Sequence, residues 1–301
     1  MSQHYGPRVA LDDVSFQVGV GCTGLLGPNG AGKSTLIKTL LGWLPLGPGQ
    51  VRVLGEDPAR RLLNVRQRVG YMAEDEVALP GLSGMEYVAM CGALCGMHTK
   101  DATSRAHRML DFVGLGESRY RALEGYSTGM KQRAKLAAAL VHGPELLLLD
   151  EPTSGLDPAG REEMLALVGG LGKRGVSVLL SSHILRDIEK TCESVVVLNQ
   201  GRLVYAGTRQ GFQQEEGPRI LLRVKQDRQQ MAVALRARGC KVSDEVGALG
   251  LEVVLPPDAE LALLWQVARQ EGLQVRNLMP AGASLERAYN RRVEGLDQGD
   301  A

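Results

Sequence analysis

The chain has 301 residues, of which 44% are hydrophobic and 23% charged, and its formal net charge is +1. This composition suits globular domains with a sizeable core and excludes a disordered chain, while the near-neutral charge predicts no basic surface for a nucleic-acid backbone. No apolar run approaches the ~20 residues of a membrane-spanning helix, and the N-terminus lacks the charged and apolar regions of a signal peptide. The five cysteines are scattered and odd in number, which indicates a reducing compartment without a disulfide framework.

The first part of the chain predicts short strands around one helix. Strands are expected at 14–18, 22–26, 50–54 and 68–72. The helix is expected from 33 to about 44, where prolines and glycines interrupt the pattern.

The middle of the chain alternates helices with strands. In order, it predicts a mainly helical segment at 83–140, a buried strand at 145–150, a helix that opens at 157, a strand at 176–181 and a hairpin of strands at 194–199 and 203–206. Asp157 is the expected N-cap of its helix, with Pro158 at the first helical position. This alternation implies a largely parallel sheet with crossover helices.

The pattern restarts after a linker at 215–218. The expected elements are a strand at 219–225, a helix at 228–238, strands at 241–246 and 251–255, a helix at 259–270, a strand at 273–278 and a last helix at 284–292. The order βαββαβ predicts a small ferredoxin-like α+β domain.

A phosphate-binding loop is the first motif that carries chemistry. Residues 27–34 read Gly-Pro-Asn-Gly-Ala-Gly-Lys-Ser, which fits G-x-x-x-x-G-K-[ST] between a predicted strand and a predicted helix. Its glycines let successive amide groups point at phosphate oxygens, and the helix adds its positive dipole end. Lys33 is expected at the β and γ phosphates, and the Ser34 hydroxyl is a candidate Mg²⁺ ligand.

A second motif ends the buried strand at 145–150. Four consecutive leucines lead to Asp150, which a strand of this kind delivers to the Mg²⁺ site at its C-terminal end. Glu151 follows directly, beside the expected γ-phosphate, where its carboxylate can orient the attacking water. Asp150 is therefore a predicted metal ligand and Glu151 a predicted catalytic residue.

Three further motifs identify a family. Residues 126–133 read Tyr-Ser-Thr-Gly-Met-Lys-Gln-Arg, residues 152–158 read Pro-Thr-Ser-Gly-Leu-Asp-Pro, and residues 181–183 read Ser-Ser-His. With the phosphate loop and the Asp-Glu pair, this ordered set resembles the ATP-binding cassette (ABC) ATPases over residues 5 to about 210. The chain looks closest to the branch that drives exporter-type permeases.

The resemblance implies a fold and a domain organisation. The expected fold is an α/β P-loop NTPase domain of the ABC type, with a mainly parallel core sheet, an antiparallel β subdomain and a helical subdomain. This domain is expected to span 1–214, with the helical subdomain at about 80–140. An α+β accessory domain is expected at 217–301.

The resemblance also implies residue roles. Ser127, Gly129 and Met130 match the signature loop, which in the family contacts the γ-phosphate bound by the other subunit, so that two chains pair head to tail around two ATP molecules. Ser154 and Asp157 match the D-loop, which senses the opposite site. His183 matches the switch histidine, which is expected to hydrogen-bond the γ-phosphate and the attacking water, and is therefore a predicted catalytic residue. The implied positions for ATP also include the adenine-stacking aromatic and the phosphate loop: Tyr5, Gly27, Asn29, Gly30, Ala31, Gly32 and Thr35.

The chain departs from the family pattern at three places. Glu74 stands where the family usually has glutamine; it is either a Mg²⁺ ligand or a solvated loop residue. Thr128 and Met130 replace commoner signature residues, although Ser127 and the backbone amides remain. Relatives usually have another strand before the Tyr5-Gly6 pair, so the first strand is expected to be vestigial or trimmed.

The function implied is an ATP-hydrolysing transport subunit with ATP and Mg²⁺ as cofactors. Its expected partners are a second copy of itself and a separate transmembrane permease, at the cytoplasmic face of the membrane, with no nucleic acid. Two alternatives stay open. One is a soluble ABC ATPase acting on nucleic acid or ribosomes, and the other is an ATP-binding regulator that has lost hydrolysis.

A cluster of Met and Cys residues has two interpretations as well. Cys91 and Cys95 share one helix face at i, i+4 spacing, near several methionines. Soft ligands of this kind suit copper or zinc, but Met and Cys also fill packed apolar helices.

Overall fold

A computed structural model describes residues 1–46, 50–75, 79–214, 219–225, 227–243, 250–256, 259–280, 285–286 and 288–290. The chain divides into two compact units, Met1–Arg209 and Gln210–Ala301. The division falls before residue 214, where the sequence predicts the end of the first domain. In the described part of the chain, no helix has the length and apolarity needed to cross a membrane.

The first unit is built around a six-stranded sheet. Its strands and helices are β1 (Gln3–Tyr5), β2 (Arg8–Leu11), β3 (Cys22–Leu26), α1 (Lys33–Leu40), α2 (Leu62–Arg68), β4 (Val69–Met72), α3 (Gly84–Leu94), α4 (Thr99–Phe112), α5 (Thr128–Leu140), β5 (Leu146–Asp150), α6 (Pro158–Lys173), β6 (Ser177–Ser181), α7 (Leu185–Thr191), β7 (Ser194–Asn199) and β8 (Arg202–Thr208). Short 3₁₀ turns at Gly116–Tyr120 and Leu123–Gly125 join α4 to α5.

The order of the strands sets the position of the site. The sheet runs β4-β5-β6-β3-β7-β8, with the first five strands parallel and β8 antiparallel to β7. Chain segments leave the C-terminal ends of parallel strands at one edge of a sheet, where ligands bind in open α/β folds. The strand before the phosphate loop, the strand that ends in Asp150 and the strand before His183 all end at this edge.

The core of the first unit confirms the buried strands that the sequence predicts. Leu147, Leu148, Leu149 and Leu180 are at most 1% exposed. The helical segment forms α3, α4 and α5, which pack against one another. Asp157 caps α6 as predicted, since its Oδ1 accepts a hydrogen bond from Gly160 N at 3.0 Å.

The helix after the phosphate loop ends earlier than the prediction of about 44. Gly42 takes a left-handed φ of 65°, and its amide bonds to Thr39 O while the Trp43 amide bonds to Lys38 O. These two bonds form a Schellman C-cap, which closes α1 at Leu40.

Two predicted strands are wrong. Residues 14–18 form no strand, although Val14 and Phe16 do pack into the core as their alternation indicates. The backbone N–H and C=O of Val14 each form a hydrogen bond with Met1, and this single pair does not continue along the segment. Residues 50–54 form only an isolated bridge between Val53 and Glu56. Alternation reports burial of one face, and a strand also needs a partner along its length.

A short strand does precede the Tyr5-Gly6 pair. β1 and β2 form an antiparallel hairpin in which Tyr5 lies opposite Arg8. Gly6 takes a φ of 58° in the turn between them, a conformation that glycine adopts without steric cost. The hairpin holds Tyr5 at a fixed place instead of at a frayed end.

The second unit contains a four-stranded antiparallel sheet with helices. Its elements are α8 (Arg209–Gln214, which starts at the division), β9 (Arg219–Val224), α9 (Arg228–Arg236), β10 (Lys241–Ser243), β11 (Leu251–Val254), α10 (Ala262–Gln270) and β12 (Val275–Pro280). The strand order β10-β11-β9-β12 is the ferredoxin-like arrangement that the element order predicts. Leu222, Leu235 and Leu264 are fully buried in its own core.

Some predicted segments of the second unit shift or fall outside the description. The last strand begins at Val275 and not at 273, because Leu273 N closes α10 by bonding Ala268 O at 2.8 Å. The linker at 215–218, positions 244–246 of the strand at 241–246, and positions 284, 287 and 291–292 of the last helix lie outside the described residues.

Candidate functional site

The candidate site is a cavity of about 510 Å³ at the C-terminal edge of the parallel strands. It brings together residues from the phosphate loop, the hairpin, and the segments after β4, β5 and β6. The lining residues are Tyr5, Arg8, Ala10, Asn29, Gly30, Gly32, Lys33, Ser34, Thr35, Glu74, Asp150, Glu151 and His183. Gly27 and Ala31 belong to the same loop but do not line this cavity.

Glycine geometry shapes the phosphate loop. Gly30 and Gly32 take φ values of 82° and 103°, which favour glycine. A Cβ on Gly32 would stand 2.7 Å from Ala10 O, and one on Gly27 would stand 2.5 Å from Leu198 O. The loop is therefore held between β2 and β7, and side chains at these positions would displace it.

The start of α1 is suited to an anion. Gly32 is the N-cap and provides no side chain to cap the first amide groups of the helix. Those amides and the helix dipole favour a negative ligand at this end. Ser34 and Thr35, in the first turn, are half-buried and line the cavity.

Lys33 is folded back over the loop. Its Nζ donates hydrogen bonds to Gly27 O at 2.7 Å and Pro28 O at 3.2 Å, and the residue is 8% exposed. Burial lowers the pKa of Lys33, while the nearby carboxylates of Glu151 and Asp150 act in the opposite direction. The ammonium group is thus placed at the floor of the cavity with two acidic neighbours.

Glu151 and His183 form the most direct pair in the site. His183 Nδ1 lies 2.9 Å from Glu151 Oε2. Burial raises the pKa of Glu151, and the contact with His183 partly offsets this effect. Glu151 also takes a left-handed φ of 49°, which is uncommon for a residue with a side chain and is concentrated at functional sites.

The backbone around Glu151 fixes this conformation. Glu151 N donates to Ser181 O at 3.1 Å, and Glu151 O accepts from Ser154 N at 3.1 Å. Next to it, Thr153 Oγ1 donates to Asp187 Oδ2 at 2.7 Å, and both side chains are buried. These bonds connect the segment after β5 to the one after β6.

Glu74 lies in the cavity, at the position where the family pattern departs. The Lys135 ammonium group donates to the carbonyls of Glu74 and Asp75 at 3.1 and 2.9 Å. This contact fastens the segment after β4 to α5. Glu74 itself is exposed and lines the cavity together with Ser34 and Asp150.

The oxygen-bearing side chains fit Mg²⁺ in kind. Ser34, Asp150 and Glu74 supply hydroxyl and carboxylate oxygens, which are the donors that this ion prefers. Within the described ranges, no set of three His, Cys, Asp or Glu side chains converges to hold a metal ion. Oxygens of a bound triphosphate and of water would therefore complete the shell.

The signature residues lie elsewhere on the same chain. Ser127 is exposed and caps α5, with its Oγ accepting from Met130 N at 3.3 Å. Gly129 and Met130 are half-buried, and Asp157 is an exposed helix cap. None of these four is among the residues that line the cavity, so one chain does not bring the two halves of the predicted site together.

Two residues that line the cavity were not predicted from the sequence. Arg8 and Ala10 line the site from β2, and the guanidinium of Arg8 lies near Gly30. The signal for them is the Gly6-Pro7 turn, which indicates a hairpin that returns the chain past Tyr5.

The fold and the cavity together define a P-loop nucleoside triphosphatase. The family model described as "ABC transporter" matches residues 11–154. An uncharacterised ABC transporter ATP-binding protein, YxlF of Bacillus subtilis, is 38% identical over 72% of this chain and 72% of its own length. The daunorubicin resistance ATP-binding protein DrrA3 of Streptomyces coeruleorubidus is 34% identical over 96% of this chain and 90% of its own.

Solved structures with the same fold are also ABC ATP-binding proteins. The ATP-binding subunit of an ABC transporter superposes with a TM-score of 0.64 at 30% identity, covering 71% of this chain and 90% of that one. A dimeric bacterial ABC transporter cassette has the same fold, with a TM-score of 0.62 at 22% identity over 69% and 94% of the two chains. The chain belongs to the ABC transporter family, as an ATP-binding subunit of the export type, and its enzymatic class is that of an ATPase.

Proposed function

We propose that the chain binds and hydrolyses Mg²⁺-ATP in the cavity and works as a head-to-tail dimer beneath a separate transmembrane permease, at the cytoplasmic face of the membrane. The observation that carries the proposal is the gathering of Lys33, Asp150, Glu151 and His183 in one cavity. Related proteins named for daunorubicin resistance support export as the direction of transport.

The residues divide the work of phosphoryl transfer. Lys33 would leave its two loop carbonyls for the β and γ phosphates, and the loop from Gly27 to Thr35 would surround them with amides and hydroxyls. Phosphoryl transfer needs positioning and charge compensation more than covalent assistance. Tyr5, which lines the cavity from the hairpin, would stack on the adenine.

Hydrolysis requires a water in line with the γ-phosphate. The Glu151 carboxylate would orient this water, and His183, hydrogen-bonded to Glu151, would contact the γ-phosphate from the next strand. Ser34, Asp150 and Glu74 would hold Mg²⁺, which supplies charge compensation on the phosphates. The raised pKa of Glu151 makes its carboxylate a better proton acceptor than an exposed one.

The second chain supplies what the first cavity lacks. Ser127, Gly129 and Met130 do not line their own chain's cavity and are exposed or half-buried, so they suit the γ-phosphate held by a partner. Asp157 and Ser154 would sense the opposite site. Closure of the dimer excludes water and completes the site, and hydrolysis resets it. We further propose that residues 1–214 act as the ATPase domain and 217–301 as an accessory domain.

Nucleotide titration of the Lys33→Ala variant tests the binding site. Loss of the ammonium group removes a charge-assisted contact and is expected to weaken ATP binding by 10-fold or more, in the range of about 1.5–3 kcal/mol. Lys38→Ala is the matched control, because Lys38 lies exposed on the same helix. Equal ATP affinity in the two variants would contradict the proposed site.

A further inference from the structure

Two cysteines that the proposed function leaves unused lie in contact in the first unit. Cys22 opens β3 and Cys192 follows α7, and they are 170 positions apart in sequence. Their Sγ atoms are 3.1 Å apart and both residues are buried. We propose that Cys22 and Cys192 are a modification site for hydroperoxides, which convert the thiol pair to a disulfide.

The geometry requires only a small movement. A disulfide brings its sulfurs to about 2.05 Å, so closure needs an approach of about 1 Å. Cys22 O accepts a hydrogen bond from Glu193 N at 3.2 Å, directly before the paired residues of the adjacent strands β3 and β7. The two cysteines therefore already lie on neighbouring chain segments.

A cavity reaches one of the two cysteine residues. It measures about 660 Å³ and is lined by Cys22 together with Lys173, Lys190 and three glycines of α6. Gly172 allows this approach, since a Cβ there would stand 3.4 Å from Cys22 Cβ. Cys192, 2% exposed, is not among the lining residues.

The difference in access sets the order of the reaction. Cys22 lines the cavity and Cys192 does not, so Cys22 is the thiol that attacks first. Attack on a hydroperoxide gives Cys22 sulfenic acid and releases the alcohol or water. The Cys192 thiol then attacks the sulfenic sulfur, water leaves, and the disulfide forms. Overall the thiols lose two electrons and two protons, and the hydroperoxide is reduced.

The bond would connect two parts of the proposed ATPase site, and this consequence rests on the proposed function. β3 leads into the phosphate loop, and α7 begins just after His183. α7 already packs closely on β3, since a Cβ on Gly24 would stand 2.4 Å from Ile188 Cγ2. A disulfide at the far end of α7 would restrict its movement against β3 during the catalytic cycle.

Peptide mapping tests the disulfide directly on the full chain. The purified protein is treated with hydrogen peroxide, its remaining thiols are alkylated under denaturing conditions, and it is digested with trypsin. We expect a disulfide-linked pair of peptides spanning 9–33 and 191–202, which disappears on reduction. Oxidation of the more accessible Cys91 and Cys95 reports that the peroxide was active.

Two further measurements accompany the map. Because the bond closes a very long loop, Tm is expected to rise by roughly 5–10 °C on oxidation of wild type and to be unchanged in Cys192→Ser. ATP turnover is expected to fall severalfold and to recover with a thiol reductant. The modification site would be overturned by a map in which Cys22 and Cys192 are both alkylated although Cys91 and Cys95 are oxidised. A disulfide with unchanged turnover would overturn its effect on α7, and nucleotide titration of Lys33→Ala stays independent of both results.

Discussion

Gln132 Nε2 donates a hydrogen bond to Ser154 O at 3.2 Å. Gln132 lies on α5, whose first turn holds the signature residues, and Ser154 lies in the D-loop. Close packing supports the bond, since a Cβ on Gly155 would stand 3.0 Å from Thr128 Cγ2. The two segments proposed to face the partner subunit therefore form one surface on each chain.

Gln132→Met tests this surface. The substitution keeps the volume of the side chain but removes the donor, so the D-loop carbonyl loses a partner at a cost of about 1 kcal/mol. We expect ATP affinity of the isolated chain to stay near wild type, because Gln132 does not line the cavity, and ATP-dependent dimerisation to weaken. Analytical ultracentrifugation with ATP measures the second property. If dimerisation is undiminished, the hydrogen bond between the two segments does not contribute to it.

Arg8 tests the contribution of the hairpin to nucleotide binding. Its guanidinium reaches the cavity beside Gly30 from an exposed position. Removing an exposed charge is expected to weaken ATP binding in Arg8→Ala by about two- to five-fold, and more at low ionic strength. Arg8→Lys keeps the charge and should retain most of the affinity. Titrations at two salt concentrations measure the effect, and a salt-independent loss would argue for a structural role instead.

Thr153 and Asp187 test the connection between the segments after β5 and β6. Thr153→Val leaves the buried Asp187 carboxylate without the 2.7 Å hydrogen bond, and the free energy of unfolding is expected to fall by about 1–3 kcal/mol. Thr153→Ser, which keeps the hydroxyl, is the control. Urea denaturation of both variants gives the comparison, and a free energy of unfolding for Thr153→Val no lower than that of Thr153→Ser would contradict the role of the hydrogen bond.

His142 predicts a pH dependence of stability. Burial lowers the pKa of His142, whose Nε2 lies 3.2 Å from Val69 O. Because the folded state favours the neutral ring, the stability contributed is present above the unfolded pKa of about 6.5 and is lost as the pH falls through it. Between about pH 7.5 and about pH 5.5, wild type should therefore lose more free energy of unfolding than His142→Gln does. The measurement is the Tm of both proteins as a function of pH. Profiles of equal slope would contradict the assignment of the effect to His142.

Much of the fold follows from local pattern. The leucines of β5, the Asp157 cap and the restart after the linker each leave a mark within a few residues. The missing strands at 14–18 and 50–54 mark the limit, because pairing depends on distant segments that alternation does not identify. The hairpin that holds Tyr5 and Arg8 is the converse case, since its strands of three and four residues are too short for periodicity to detect.

The candidate site, too, is predictable from the sequence only in part. Fixed spacing in the phosphate loop predicts Lys33 and Ser34, because the chain itself carries the geometry. The 2.9 Å contact of Glu151 with His183 depends on two neighbouring strands, and only their order in the sheet creates it. The Cys22–Cys192 contact has no sequence signal at all, as 170 positions separate the two residues.

In the proposed dimer, ATP joins two chains, each of which binds one triphosphate through Lys33 and caps the partner's triphosphate through Ser127. Light scattering coupled to size-exclusion chromatography of Glu151→Gln tests it most directly, because this variant retains the site but lacks the carboxylate that orients water. With Mg²⁺-ATP the account predicts a stable dimer, which Ser127→Arg in the same background abolishes while ATP affinity persists. A strictly monomeric profile for Glu151→Gln at saturating ATP and high protein concentration would contradict the account.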